Sequence, residues 1–124
     1  MGTITEQSVD LVVNTLMNHF VTVLDMFDYM NEEANSTVTG FETAELAVEY
    51  ARRRTRASVE EQRKPNMEPE LLKSLWFSFG EDCLAEGYIG GREVDYFIAN
   101  PAPTDTHPEL TDWTALEPRK PKAQ

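Results

Sequence analysis

The residues with chemistry to offer are few, and their spacing limits what they can do. Cys83 is the single cysteine, and His19 and His107 are the only histidines. Cys83 directly follows Glu81 and Asp82, whose charges raise a thiol's pKa, so a packed thiol is expected there rather than a catalytic thiolate. No HExxH, CxxC, nucleophile-elbow, Walker or GxGxxG pattern is present, and a histidine metal site would have to recruit both His19 and His107. Catalytic residues, metal ligands and cofactors are therefore all expected to be none, and the reading leans away from an enzyme.

Two groups of residues stand out as candidate binding sites. Glu81 and Asp82 follow Gly80, a placement that suits a ligand-facing loop or an ordinary turn. With Asp28, Tyr29, Trp76 and Phe79 they make an acidic and aromatic set that could line a small pocket, and with Phe27 and Tyr29 a surface that could contact a partner. The second group is the burst Arg52, Arg53, Arg54 and Arg56, the first basic residues of the chain. Arg52 and Arg56 form a candidate anion site if they converge on a pocket. The plainer alternative is a solvated helix face with Glu49–Arg53 and Arg56–Glu60 paired at helical spacing.

Composition narrows the partners. The chain has 124 residues, enough for one domain with its own core. Its net charge is −11, from 22 acidic and 11 basic side chains, which disfavours direct binding to nucleic acid or an anionic membrane. Without a basic N-terminal region, a long apolar run or a pair of cysteines, a cytoplasmic protein is expected. Such a protein would take a protein partner of unknown identity.

These residues have to be positioned by a small set of elements. Thr3 to Asn18 reads as an amphipathic helix with Val9, Val12, Val13, Leu16 and Met17 on one face, a surface that could pair two copies in a homodimer. Phe20 to Met30 is rich in β-branched and aromatic residues and reads as a central strand, although its period would also let it extend the first helix. Asn31 to Ser36 is a hairpin loop, and Ser36 to Phe41 is a second strand in which Gly40 marks a bulge or a close backbone approach. Thr43 caps a helix from Ala44 to Gln62 or Arg63, which must stop before Pro65. After a proline linker with a helical turn, Leu75 to Phe79 alternates as a third strand and Tyr88 to Gly91 is a turn; beyond it Val94, Phe97 and Ile98 follow helical spacing and Val94, Tyr96 and Ile98 strand spacing, and the reading leans to a short helix.

The expected fold class is α+β, with a small antiparallel sheet of about three strands packed on one long helix. The expected organisation is an N-terminal helix over 1–19, a compact domain over 20–100 and a proline-rich flexible tail over 101–124. Trp113, with Leu110 and Leu116, is the exception in that tail. It could cover an apolar patch of its own domain or serve as a linear motif for a partner.

The string from Asp25 to Arg54, DMFDYMNEEANSTVTGFETAELAVEYARRR, followed later by LWFSFGEDC, resembles a family of small uncharacterised bacterial proteins. That family has an aromatic DNFHYM-like strand, an acidic turn, a GxFxTxExA helix start and an FGED segment. The matching positions are Phe27, Tyr29, Met30, Asn31 and Glu32; Gly40, Phe41, Thr43, Glu45, Ala47, Arg52 and Arg53; and Phe79, Gly80, Glu81 and Asp82. This chain has Asp28 where the family has histidine, and Cys83 and Leu84 where it tends to have an apolar pair. The resemblance implies a compact α+β fold and carries no chemistry. Three functions then stand as expectations: a regulatory or adaptor interaction module, a small-ligand or catalytic pocket near Tyr29, Glu81 and Asp82, and an acidic mimic of nucleic acid.

Overall fold

In the computed structural model, residues 19–28 and 30–118 are described. The expected N-terminal helix and Tyr29 lie outside the described residues. Among the described residues four strands form one antiparallel sheet: β1 (His19–Asp25), β2 (Ser36–Phe41), β3 (Glu81–Ala85) and β4 (Tyr88–Ile89), in the order β2-β1-β3-β4. Three α-helices of the described residues accompany it: α1 (Ala44–Gln62), α2 (Pro69–Phe79) and α3 (Val94–Ala99).

The first half of the domain follows its local sequence closely. β1 lies between β2 and β3, as its apolar composition requires, with Val21 and Val23 buried. It is shorter than the expected Phe20–Met30 strand. The Asp25 carboxylate accepts the Phe27 N–H at 3.0 Å, a side-chain turn that ends the ladder and starts a 3-10 turn at Met26–Asp28. In β2, His19 lies opposite Phe41 while Phe20 lies opposite Thr39, so Gly40 is the extra residue of a bulge. Its φ of 99° is open to glycine at little cost, and the bulge lets Val38 and Phe41, three residues apart, both face inward. Thr43 caps α1 through its side chain, which accepts the Leu46 N–H at 3.1 Å.

The second half departs from expectation, and the sheet has four strands rather than about three. Leu75 to Phe79 is the end of helix α2, not a strand. Pro69 opens α2 in its first turn, and Leu72 and Trp76, four residues apart, turn inward together. The third strand is the next segment, where Glu81, Cys83 and Ala85 face α1 in turn. The expected turn at Tyr88 contains β4 instead. The tight loop is Glu86-Gly87, whose φ values of 50° and 84° are both positive, the signature of a two-residue type I′ hairpin.

Helix α1 serves two cores. Toward its N-terminus, Ala47, Tyr50 and Ala51 pack with Val21, Val23, Val38, Phe41, Cys83 and Ala85 of the sheet. Farther along, Val59 packs with Leu72, Trp76, Val94, Phe97 and Ile98 of α2 and α3. Between these cores lies a polar seam. β4 pairs only with Leu84 and Ala85, so the first half of β3 lacks a strand on that side. Two hydroxyls of α1 take its place: Thr55 Oγ1 accepts the Cys83 N–H at 3.2 Å, and Ser58 Oγ lies 3.2 Å from the Glu81 carbonyl. Ser58 Oγ also accepts the Trp76 indole N–H at 2.9 Å and shares its own proton between the Glu81 and Thr55 carbonyls.

The seam is close-packed. A Cβ at Gly90 would come within 2.1 Å of Thr55 Oγ1, so glycine is required by contact rather than by backbone angle. The segment after Pro101 also meets the domain: Trp113 stands edge-on to Tyr50 with ring centroids 5.6 Å apart, and with Leu116 it packs on the first core. Of the two alternatives for Trp113, the structure has the docked one.

Removing the shared hydroxyl should leave the Trp76 N–H buried without an acceptor. Ser58→Ala is therefore expected to lower unfolding free energy by about 1–3 kcal/mol, seen as a lower denaturant midpoint with an unchanged slope. A loss of no more than a few tenths would contradict the seam.

Candidate interaction surface

The structure separates the residues of the expected binding set. Trp76 is fully buried with its N–H bonded to Ser58, so it belongs to the core and lines no pocket. Glu81 points toward α1, where it receives a two-pronged bond from Arg54, Nε to Oε1 at 3.0 Å and Nη2 to Oε2 at 3.1 Å. Asp82 accepts the Gly91 N–H at 2.8 Å. Asp28 is exposed and accepts the Asn31 side-chain amide at 3.1 Å. Of the two described aromatics in this set, Phe79 is exposed. These residues are not brought into one concave site.

The arginines do not converge on an anion either. Arg52 donates to Glu93 at 2.9 Å and stacks over the Tyr88 ring. Arg53 donates to the Asp112 carbonyl, and lies 3.6 Å from Glu49, the expected helical pair. Arg56 is buried and donates to the Asn100 carbonyl at 2.7 Å rather than pairing with Glu60. Glu60 pairs instead with Arg63, which also reaches the Phe97 and Ile98 carbonyls at the end of α3. The arginine burst is thus a set of clamps that tie α1 to β3, to α3 and to the C-terminal segment.

Arg54 is the centre of these clamps. Burial alone would lower its pKa, but the bonds and charge of Glu81 more than reverse that, and the guanidinium is held charged. Its Cζ lies 4.2 Å from the Trp113 ring centroid, a cation–π contact, and its Nη1 donates to the Tyr50 hydroxyl at 2.7 Å. Tyr50 in turn donates to Glu117 at 2.9 Å. Burial, with the Glu117 bond behind it, pushes the Tyr50 pKa up to about 12. Cys83 is an inert core thiol, pushed up to about 12 chiefly by burial. Among the described residues no group of three His, Cys, Asp or Glu side chains could hold a metal ion, and no helix is long and apolar enough to cross a membrane.

What remains exposed and unexplained is apolar. Leu71, Leu75 and Phe79 recur at four-residue spacing along α2, with Leu71 and Phe79 more than half exposed. Phe79 stacks on Phe27 of the 3-10 turn with ring centroids 5.9 Å apart, and Phe27 is 73% exposed. Met30, just beyond, is 81% exposed. Asp25, Asp28 and Glu70 are acidic neighbours of these residues in the chain. Sequence reasoning caught Phe27 and Phe79 but missed Leu71 and Leu75, because reading Leu75 to Phe79 as a strand hid their helical spacing.

Comparison of the chain with protein-family models, with curated proteins and with solved structures gave no match.

Asp82 supplies a test of local electrostatics. Burial raises its pKa above the usual carboxylate value, and the Gly91 N–H only partly offsets this. A carboxyl with a raised folded-state pKa contributes stability that is complete below its unfolded pKa and lost as pH rises through the folded one. Asp82→Asn keeps an acceptor for Gly91 without the charge. It is expected to raise Tm at pH 7, with the gain vanishing as pH falls below the ordinary aspartate range; an equal effect at all pH values would contradict burial of the charge.

Proposed function

We propose that this chain is a small regulatory or adaptor module that binds a protein partner through the apolar band Leu71, Leu75, Phe79 and Phe27. The stacked and exposed Phe27–Phe79 pair is the observation that carries this reading. Two phenyl rings in contact with each other and with water retain apolar area that a partner can bury. An aromatic cluster with acidic neighbours in the chain favours a partner segment with apolar side chains flanked by Lys or Arg. The net charge of −11 would speed encounter with such a segment at low salt.

The other readings have less support. A ligand pocket at Glu81 and Asp82 would need Trp76 at a surface and Glu81 free, and each is engaged within the fold. A nucleic-acid mimic needs an unbroken row of carboxylates, whereas Glu49, Glu60, Glu81 and Glu93 alternate with arginines that bond them.

A peptide library displayed on phage and selected against the immobilised full chain tests the reading. Enriched peptides should combine an apolar anchor with basic flanks, bind more weakly as salt rises, and lose at least tenfold in affinity to Phe79→Asp while Tm stays nearly unchanged. Peptides that bind the variant as well as the parent would overturn the assignment.

A further inference from the structure

Residues 103–117 lie on the domain without joining its backbone. Among the described residues, their backbone–backbone hydrogen bonds all close within the segment, from His107 N–H on the Pro103 carbonyl to Glu117 N–H on the Thr114 carbonyl. The Asp112 carboxylate accepts the Thr114 hydroxyl at 2.7 Å and the Ala115 N–H at 3.2 Å, so the 3-10 turn at Thr114–Leu116 carries its own cap. Trp113, Leu116 and Glu117 are only half-buried, whereas Tyr50, against which Trp113 stands, is buried.

The seat under this turn recognises three side chains. The Arg54 guanidinium faces the Trp113 ring at 4.2 Å, the first core receives Leu116, and the Tyr50 hydroxyl donates to Glu117 at 2.9 Å. Beside them Arg53 donates to the Asp112 carbonyl at 3.1 Å. Its buried Nε has no hydrogen-bond acceptor among the described residues, since Glu49 is 3.6 Å away. Charge on the two sides is complementary. Arg53 and Arg54 lie under the turn, and residues 103–117 carry Asp105, Glu109, Asp112 and Glu117 with no Lys or Arg.

We propose that this seat is a receptor for a short acidic protein segment of the pattern aromatic-x-x-Leu-Glu, and that Trp113 to Glu117 is its resident occupant, displaced by a partner that carries the same pattern. A turn that makes its own backbone bonds can be exchanged for another of the same build without breaking a helix or a ladder. The tethered occupant acts at an effective concentration on the order of millimolar, so it excludes weak binders and yields to a better one. Arg53 Nε is where a better one gains, by offering the oxygen that the resident turn does not. The seat shares no residue with the α2 band, so this inference does not depend on the proposed function.

The probe is a fluorescently labelled peptide with the sequence of residues 108–118, and the receptor is the full chain with Trp113→Ala, which loosens the resident turn. The peptide is expected to bind this variant at least tenfold more tightly than the parent, and to lose at least fivefold when it carries Trp113→Ala or Glu117→Gln itself. The parent gives a second reading. It has two tryptophans, so millimolar peptide should shift the Trp113 indole N–H signal toward its position in the free peptide and leave the signal of buried Trp76 in place. Equal binding to variant and parent, or no binding by a variant that keeps the Trp76 signal, would overturn the proposal, as would a Trp113 signal that the peptide leaves unmoved. A parent that sediments as a dimer and loses that state on Trp113→Ala would give the seat to a second copy's segment, which also overturns it.

Discussion

Two hydroxyl groups on one turn of a helix hold this domain together. Thr55 and Ser58 stand where a strand would otherwise continue the sheet, and they satisfy backbone groups of β3 that β4 is too short to reach. A buried backbone N–H or carbonyl without a partner is costly, so the short β4 is tolerated because α1 supplies the missing bonds. The same serine accepts the indole N–H of Trp76, the largest side chain of the second core. One residue therefore couples the sheet to the helical half. The close approach it requires is met by Gly90 against Thr55 and by Gly80 against Trp76.

Around this seam, charge is used mostly for fastening. The chain is acidic overall, yet Arg52, Arg53, Arg54 and Arg56 of α1, with Arg63 at its C-cap, are spent on internal partners: Glu93, Glu81, and the carbonyls of Asn100, Phe97, Ile98 and Asp112. Arg54 does the most, joining β3 through Glu81 and the C-terminal segment through Trp113. Arginine suits this role because its planar fork can bond a carboxylate on its edge while its face stacks on a ring. With these arginines so occupied, what the α2 band offers a partner is apolar side chains with acidic residues beside them in the chain. That combination is what directs the functional proposal toward a basic and apolar protein segment.

Much of the first half of the described domain was legible because its signals are local. Thr43 caps α1, Pro65 bars its extension, and Gly40 marks a bulge, each by the chemistry of a single residue. The second half was harder for a physical reason. Leu75, Trp76, Phe77 and Phe79 are aromatic-rich and satisfy a period of two, but the decision for helix comes from burial of Leu72 and Trp76 together against α1. The true strand, Glu81 to Ala85, is short and begins with two acids, and its inward Glu81 is acceptable only because Arg54 waits on α1. Glu81, Asp82 and Trp76 of the expected site are separated from one another for the same reason. Adjacent residues in sequence diverged to α1, to Gly91 and to the core, and only tertiary pairing decides that.

The central claim is that α1 closes the edge of β3, and the Cys83 amide reports it directly. Native-state hydrogen exchange, followed at increasing denaturant, is the measurement. If Thr55 Oγ1 holds that amide within the core, Cys83 should be among the slowest to exchange and should open only with global unfolding. Exchange of Cys83 at the rate of an exposed loop amide, under conditions that leave Val21 and Val23 protected, would contradict the account.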